Sequence, residues 1–400
     1  MAISKIWGAA LAVGLALGGL PAAQAQSWEE TVAEARGQTL YWNACGGDEG
    51  INDYVAWVGE RLAEEYEIEL VHVKLSDTAE AVRKVVAEKA AGRHADGSVD
   101  LIWINGENFK AMKDQDLLHG PITPSLPNYA LIDVAANPAI ELDFTIPTGG
   151  YESPYGQAKL VFIYDTQTVS EPPASMAALL DHAAANPGRV TYPAPPQFLG
   201  TTFLKQALYE LVDDPEALLL EAGDNFDAVT APLWAYLDRL HPVLWRDGKD
   251  FPSGDDALIR LLDEGAVDFA LSFHPGKASA AIAQDLLPDT VRTFVLAEGT
   301  IGNTHYVAIP YNAAHKAAAM VAANFLLSPE AQARKQHPDV WGDMTVLSMA
   351  RLSEEGRALF DALPRGIATL GPAELGPTLP EPHPSWMTRI EASWLERYGS

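Results

Sequence analysis

The chain has 400 residues, of which 48% are hydrophobic and 20% charged, an ordinary globular composition with length for at least two domains. Its 27 basic and 54 acidic residues give a formal net charge of -27. That charge argues against a nucleic-acid partner and against docking on anionic lipid, because both need a basic face. A single cysteine excludes an internal disulfide framework and a cysteine-rich metal cluster.

The N-terminus has the pattern of a secretory signal peptide. Lys5 precedes an uncharged apolar run of about 15 residues, and Ala23-Gln24-Ala25 fits a small-x-small cleavage site. The run is shorter than the roughly 20 residues that span a bilayer, which argues against the alternative of a membrane anchor. We expect residues 1–25 to be removed. No cysteine stands at the cleavage point to take a lipid, so we expect a soluble protein in the periplasm.

The mature chain begins with alternating strand and helix patterns. Apolar runs predict strands at 38–43, 69–75 and 99–104, and the residues between them have apolar positions at helical spacing. Asp77 is a plausible helix N-cap, with Glu80 three residues later. The order β-α-β-α-β predicts a parallel sheet with right-handed crossovers.

A segment rich in Pro, Gly and Asn, residues 121–154, separates this series from a second one. The second series has predicted strands at 159–164, 189–192 and 266–273 and predicted helices at 175–186, 201–212, 230–240, 253–264 and 276–286. A strand at 304–309 and a long helix at 313–327 follow, and Ser328-Pro329 begins another helix. Residues 371–384 look irregular, and 385–397 form a closing amphipathic helix.

Enzyme motifs are missing from the sequence. We find no G-x-S-x-G, no H-E-x-x-H, no P-loop and no G-x-G-x-x-G after a strand. The scattered histidines are interpreted as solvated or capping residues, and acidic pairs such as Asp255-Asp256 fall where a helix dipole favours them. Cys45, which follows the first strand, is interpreted as a buried or pocket-wall residue, because nothing nearby would activate a catalytic thiol. We therefore expect neither a cofactor nor a metal site.

Five segments resemble type II periplasmic substrate-binding proteins of ABC importers, and more narrowly the YnjB-type binding proteins. They lie at residues 40–53 (LYWNACGGDEGIND), 99–109, 150–165, 187–203 and 303–330. The resemblance covers nearly all of the mature chain in the expected order. This chain departs from the family at Cys45, where the family tends to have Trp. If that Trp stacks on ligand, the pocket here is wider or different.

The resemblance implies an α/β fold of two lobes, each a mostly parallel sheet flanked by helices, with a ligand cleft between them. The first lobe would hold residues 27–148 and 304–345, and the second 149–303 with the C-terminal residues 346–400. The lobes would close on ligand by hinge motion. The family also implies delivery to an ABC permease and ATPase complex in the inner membrane, by a protein that works as a monomer.

Ligands of open α/β sheets bind beyond the carboxyl ends of strands, at helix N-termini. This rule and the crossing region of the implied fold give the candidate ligand-binding residues Trp42, Asn43, Gly47, Asn105, Glu107, Tyr151, Glu152, Tyr155, Gly200, Thr201, Thr202 and Ser272. Each has a purely structural alternative. Asn105 and Thr201 are equally consistent with helix caps, Gly47 with a turn, Trp42 with the core, and Glu107 with a surface charge.

Aromatic side chains with carboxylates suit a small organic cation, such as a thiamine-, quaternary amine- or polyamine-like molecule. The same groups suit a sugar or polyol through stacking and hydroxyl hydrogen bonds, and helix N-termini suit an oxyanion. We rank the organic cation first and the carbohydrate second. The alternative from another class is a secreted α/β hydrolase or lyase that uses cleft carboxylates.

Overall fold

The computed structural model describes residues 26–371 and 373–399. The predicted signal peptide, residues 1–25, lies outside the described residues. Within them, no helix combines the length and the apolar character needed to cross a membrane.

The first series of elements follows the predicted alternation. A Ser27 capping box begins the first helix, and Asp48 caps the second by accepting from the Ile51 amide. The elements are α1 (Trp28–Ala35), β1 (Thr39–Cys45), α2 (Glu49–Tyr66), β2 (Glu69–Leu75), α3 (Ala79–Ala90), β3 (Leu101–Ile104) and α4 (Gly106–Asp114).

The next elements cross between the two halves of the molecule. They are β4 (Leu142–Asp143), β5 (Ile146–Pro147), β6 (Glu152–Lys159) and β7 (Val161–Asp165). The sequence pattern predicted the last of these strands, but β6, which begins inside the segment rich in Pro, Gly and Asn, was not predicted. Its register against the partner strand shifts between Gly156 and Pro154, which leaves Tyr155 as an extra residue at a bulge. The bulge accommodates a proline inside a paired strand and hides the strand's alternation.

The second series is helix-rich. It comprises α5 (Met176–Ala185), α6 (Phe198–Leu211), α7 (Phe226–Leu240), α8 (Asp255–Asp263), β8 (Ala270–Ser272), α9 (Lys277–Ala283) and β9 (Val291–Phe294). The prediction of a strand at 189–192 is wrong. The Arg189 carbonyl accepts from the Asp268 amide, but the Val190 carbonyl accepts from the Trp245 amide in a loop, so no strand ladder forms.

The chain then returns to the first lobe and ends beside the second. These elements are β10 (Thr300–Ala308), α10 (Lys316–Leu326), α11 (Pro329–Gln336), α12 (Glu354–Asp361), β11 (Thr378–Leu379) and α13 (Pro384–Tyr398). The long helix and the Ser328 cap that begins α11 are confirmed.

The two sheets differ in strand direction. In the larger sheet the order is β11-β10-β3-β1-β2, with β6 also paired to β10. The β1 strand is parallel to β2 and β3, whereas β10 is antiparallel to β3 and β6. The second lobe departs from the predicted mostly parallel sheet, because β7 pairs antiparallel with both β8 and β9. Parallel strands that follow one another are usually joined by one crossover helix, whereas four helices, α5 to α8, separate β7 from β8. The expectation of parallel pairing therefore does not extend to these two strands.

Separate hydrophobic cores support the two lobes, and β6 and β10 pass between them. On β6, Tyr155 packs in a first-lobe core and Ala158 in the second-lobe core. On β10, Val307 belongs to the first core and Ile301 to the second. The C-terminal residues contribute to both, since residues 346–352 pack on the first core and α13 on the second through Trp386. The lobe boundaries given above remain predictions.

Candidate ligand-binding cleft

Three adjoining cavities lie between the two lobes. The Glu107 cavity encloses about 370 Å³ and the Asp255 cavity about 490 Å³, each named for one of its carboxylates. They share a wall that includes Cys45, Ser76, Gln197, Phe198, Phe273 and His274. The Lys277 cavity, of about 670 Å³, adjoins the Asp255 cavity through Asp48, Asp256 and His274. These volumes are of the size that holds a small metabolite.

The first-lobe wall is built from the carboxyl ends of parallel strands. Cys45 ends β1, Ser76 follows β2 and Asn105 follows β3. Because these strands are parallel, their ends meet at one edge of the sheet, where the α3 and α4 helices begin.

The opposite wall comes from helix N-termini and a strand end of the second lobe. Gln197 caps α6 by accepting from the Gly200 amide at 3.0 Å, which presents Phe198 to the cleft. The buried Ser272 hydroxyl donates to Asp255 Oδ2 at 3.0 Å and accepts from the His274 amide at 3.1 Å. Ser272 therefore holds two cleft residues in place.

Aromatic rings form the floor, where the crossing strand β10 passes under the cleft. The His305 ring lies 5.1 Å from the Trp103 ring and stacks on Trp341 at 5.7 Å between centroids. Trp341 Nε1 donates to His274 Nδ1 at 3.3 Å, across the two lobes. Burial lowers the pKa of His274, which agrees with an Nδ1 that accepts a hydrogen bond.

A fully buried ion pair supports that floor. Lys335 Nζ donates to Asp343 Oδ2 at 2.5 Å, and His305 Nδ1 lies 3.3 Å from the same oxygen. Burial opposes the charge of Asp343, but His305 and Lys335 outweigh it and hold the carboxyl pKa below its usual range. The pair thus positions the His305 ring that lines the cleft.

Glu107 is the carboxylate most altered by the cleft environment. Its side chain follows the Asn105 turn at the start of α4 and lines the Glu107 cavity. Burial raises the pKa of Glu107 to about 7, with the charges of Glu391 and Asp77 acting in the same direction and Lys205 opposing them. The group therefore titrates near neutral pH and gains from a cation placed beside it.

Two further carboxyls are buried behind α4 rather than in the cleft. Asp143 Oδ2 accepts from the Gly106 amide at 2.7 Å, and neither carboxyl oxygen of Glu152 meets a donor among the described residues. Burial raises the pKa of both groups well above their usual values, and the charge of Asp143 adds to the effect on Glu152. Glu152 does not line the three cavities.

The predicted site residues fall into three groups. Gly47, Asn105 and Glu107 line the cleft. Trp42 and Tyr155 are buried beneath it, with their rings 6.2 Å apart.

The third group comprises residues that lie in neither the cavity walls nor this aromatic layer. Asn43 is buried and donates to the Tyr41 carbonyl, while Tyr151 packs on the second face of the first-lobe sheet. Thr201 donates to Glu391 at 2.7 Å and Thr202 to the Phe198 carbonyl at 2.8 Å. Ligand contact stays a prediction for all twelve residues.

Gly200 has a packing role that can be tested. A Cβ at this position would overlap the carbonyl oxygen of Pro193, whereas a Cβ at Gly47 would meet nothing within 4 Å. We expect Gly200→Ala to lower the free energy of unfolding by about 1–3 kcal/mol, the usual cost of overpacking. Gly47→Ala is the matched control and should stay within about 0.5 kcal/mol of wild type in urea denaturation. Equal stability of the two variants would contradict the close approach.

Several cleft residues were not among the sequence-based candidates. Ser76, Asp77 and Thr78 follow β2 and line the Glu107 cavity. The same strand-end rule covers them, but Asp77 was interpreted only as a cap. Asn303 and His305 on β10 also line this cavity, and only the tertiary crossing of β10 brings them there. Among the described residues, no group of three or more His, Cys, Asp or Glu side chains is arranged to hold a metal ion.

Known proteins match both the sequence and the fold. Residues 57–358 match the model of the bacterial extracellular solute-binding protein family. Protein YnjB of Escherichia coli K12 is 46% identical over 381 residues, which cover 95% of this chain and 96% of that protein.

Solved structures of low sequence identity share the fold. The periplasmic binding protein AfuA from Actinobacillus pleuropneumoniae, with bound fructose-6-phosphate, matches 90% of this chain and 99% of its own at TM-score 0.63 and 13% identity. The spermidine/putrescine substrate-binding protein PotD from Streptococcus pneumoniae matches 90% and 98% at TM-score 0.60 and 17% identity. These neighbours are binding proteins of the type II periplasmic fold. The chain belongs to the bacterial extracellular solute-binding protein family of ABC import systems.

Proposed function

We propose that this protein captures a small organic cation between two hinged lobes in the periplasm and delivers it to an ABC permease. The observation that carries this ligand class is the charge of the cleft wall. The Glu107 and Asp255 cavities are lined by Asp48, Asp77, Glu107, Asp255 and Asp256, and by no Lys or Arg among the described residues. Lys277 of the adjoining cavity already pairs with Asp48 and Asp256, so a bound cation would chiefly compensate Asp77 and Glu107, whereas an anion would be repelled.

Aromatic rings supply the second element of cation recognition. Trp103, Phe198 and Phe273 line the Glu107 cavity. The face of an aromatic ring attracts a cation, and the attraction strengthens when water is excluded. Ring faces beside the Glu107 carboxylate would hold an ammonium group by both forces.

The contacts between the lobes suit a cleft that opens and closes. Lys277 of the second lobe binds Asp48 of the first at 3.2 Å, and Trp341 binds His274 across the same boundary. The two crossing strands β6 and β10 connect the lobes and would act as the hinge. We further propose export by the predicted signal peptide at residues 1–25 and action as a monomer.

A sugar or polyol is the second candidate ligand. The amides of Asn105, Gln197 and Asn303 line the same cavity as the rings, and they suit hydroxyl groups. The secreted hydrolase or lyase is not favoured, because the family and the structural neighbours are substrate-binding proteins.

A thermal-shift panel on residues 26–400, unfolded and refolded to strip bound ligand, tests the proposal. The panel holds organic cations, sugars and polyols, oxyanions and amino acids. A ligand at about 100 times its Kd adds about 2.7 kcal/mol, which raises Tm by several degrees. We expect the largest shift from an organic cation. A shift produced only by oxyanions or amino acids would contradict the ligand class, and one from sugars alone would favour the second candidate.

A further inference from the structure

In the Lys277 cavity, a lysine ammonium group stands among the acidic side chains that this cavity shares with the Asp255 cavity. Lys277 lies at the start of α9 in the second lobe, and only 15% of its side chain is exposed. Its Nζ lies 3.2 Å from Asp48, 2.7 Å from Asp256 and 3.8 Å from Asp255. Burial opposes the charge on Lys277, but these carboxylates outweigh it and raise the pKa of the ammonium. The protein therefore carries its own cation at this end of the cleft.

The carboxylate oxygens at this end are already engaged. Asp48 Oδ1 accepts from the Ile51 amide at 2.9 Å, and its Oδ2 accepts from Lys277. Asp255 Oδ1 accepts from the Asp256 amide and Oδ2 from Ser272, each at 3.0 Å. Asp256 Oδ1 accepts from Lys277, so its Oδ2 is the one oxygen of the three carboxylates without a donor among the described residues. Little acceptor capacity remains for a second ammonium group.

The opposite end of the cleft differs. Glu107 Oε1 accepts from the Asn108 side chain at 3.0 Å, and apart from the Glu107 amide itself no other described residue donates to this carboxylate. Asp77 uses Oδ1 to accept from the Ala79 amide, and its Oδ2 likewise has no donor there. No Lys or Arg lines this cavity in the described part of the chain. Acceptors for a ligand cation are therefore open at the Glu107 end and occupied at the Lys277 end.

We propose that Lys277 is a specificity-determining residue that restricts the ligand to one cationic group, by occupying the carboxylates at the far end of the cleft. This inference rests on the proposed function, since it presumes a cationic ligand at the Glu107 end. Loss of the Lys277 charge would free Asp48 Oδ2 and Asp256 Oδ1 as acceptors, in addition to the open acceptors of Glu107 and Asp77. An elongated dication would then meet carboxylates at both of its ends.

The test compares primary alkylamines of four to eight carbons with the α,ω-diamines of the same lengths, by calorimetric titration of the refolded protein. Wild type should bind the best monoamine at least as tightly as the best diamine. Lys277→Gln should improve diamine affinity relative to monoamine affinity by about tenfold or more, because each new charged hydrogen bond contributes on that scale. Lys277→Arg should keep the wild-type ratio. Lys249→Gln is the matched control, because it removes the same charge from an exposed position outside the three cavities.

The outcomes separate the two proposals. A folded Lys277→Gln protein that binds monoamines with an unchanged ratio overturns the role of Lys277 and leaves the proposed function standing. Loss of all amine binding in Lys277→Gln would assign Lys277 to lobe closure and overturn the inference. A wild-type protein that already binds diamines ten times more tightly than monoamines would also overturn it, because the ligand would then not be restricted to one cationic group. Wild type that binds neither alkylamines nor any other organic cation would reject the cationic ligand and the inference together.

Discussion

Replacing Glu107 by glutamine is expected to weaken organic-cation binding at pH 8 by roughly ten- to a hundredfold. A hydrogen bond to a charged group contributes about 1.5–3 kcal/mol, and the amide keeps the shape of the side chain while removing its charge. Isothermal titration with a primary alkylamine measures the effect, since its ammonium group can donate a hydrogen bond and, with a pKa near the value of about 10.4 for lysine, stays charged from pH 6 to pH 8. Glu49→Gln is the matched control, because it removes the same charge from an exposed position at the rim of the Lys277 cavity.

Glu107→Gln should also lose the pH dependence of cation binding that the wild-type protein shows. In wild type the pKa of Glu107 is about 7, so its carboxyl is neutral below that pH and charged above it. Cation affinity should therefore rise by up to about tenfold between pH 6 and pH 8, as the charged fraction of Glu107 rises from about 0.1 to about 0.9, and level off above. Burial lowers the pKa of His274, so this ring carries less positive charge than a free imidazole across the same window. Flat affinity in wild type, or an unchanged slope in Glu107→Gln, would remove Glu107 from the binding site.

The second large effect is expected from the buried pair beneath the cleft. Asp343→Asn should lower the free energy of unfolding by roughly 3–5 kcal/mol at neutral pH, because it leaves the Lys335 ammonium buried without its carboxylate. Urea denaturation measures the loss, and Asp339→Asn, an exposed change four residues away, is the control. The double variant Asp343→Asn with Lys335→Met removes both charges. It should lose less unfolding free energy than the two single variants together.

The pH dependence of this effect follows from the direction of the Asp343 shift. The pKa of Asp343 is lower in the folded protein than in the unfolded chain. Its stabilisation is therefore fully present above about 3.9, the unfolded pKa, and is lost as the pH falls through the folded value. The difference in the free energy of unfolding between wild type and Asp343→Asn should therefore become smaller under acid conditions. If this difference in unfolding free energy stayed constant from pH 7 to pH 3, the result would contradict an ionised Asp343 in the folded protein.

The strand-end rule located part of the cleft from the sequence because parallel strands make their carboxyl ends neighbours. Gly47, Asn105 and Glu107 follow β1 and β3 and line the cavities. The rule was not applied to β2, since Asp77 and Glu80 read as a helix-capping pair. Both readings hold for Asp77, which accepts from the Ala79 amide and also lines the Glu107 cavity.

The remainder of the site depends on long-range geometry that has no local pattern. The bulge at Tyr155 disguised β6, so the sequence pattern did not predict a strand there, and Glu152 and Tyr155, expected to line the cleft, are buried on a crossing strand. His305 was one of many scattered histidines in the sequence. Its role at the cleft floor comes from Asp343 and Lys335, which lie about 30 to 40 residues further along the chain and reach it only after β10 and α11 pack together.

One matched titration decides whether positive charge on the ligand drives its capture between the lobes. The organic cation with the largest thermal shift is compared, by isothermal titration of refolded residues 26–400, with its neutral isostere in which carbon replaces the ammonium nitrogen. We expect one site per chain and at least about tenfold weaker binding of the neutral molecule, because the charged hydrogen bond and the cation–π attraction both disappear. Equal affinity for the two molecules would show that shape and hydroxyl contacts, not charge, select the ligand, and would contradict the cationic cleft.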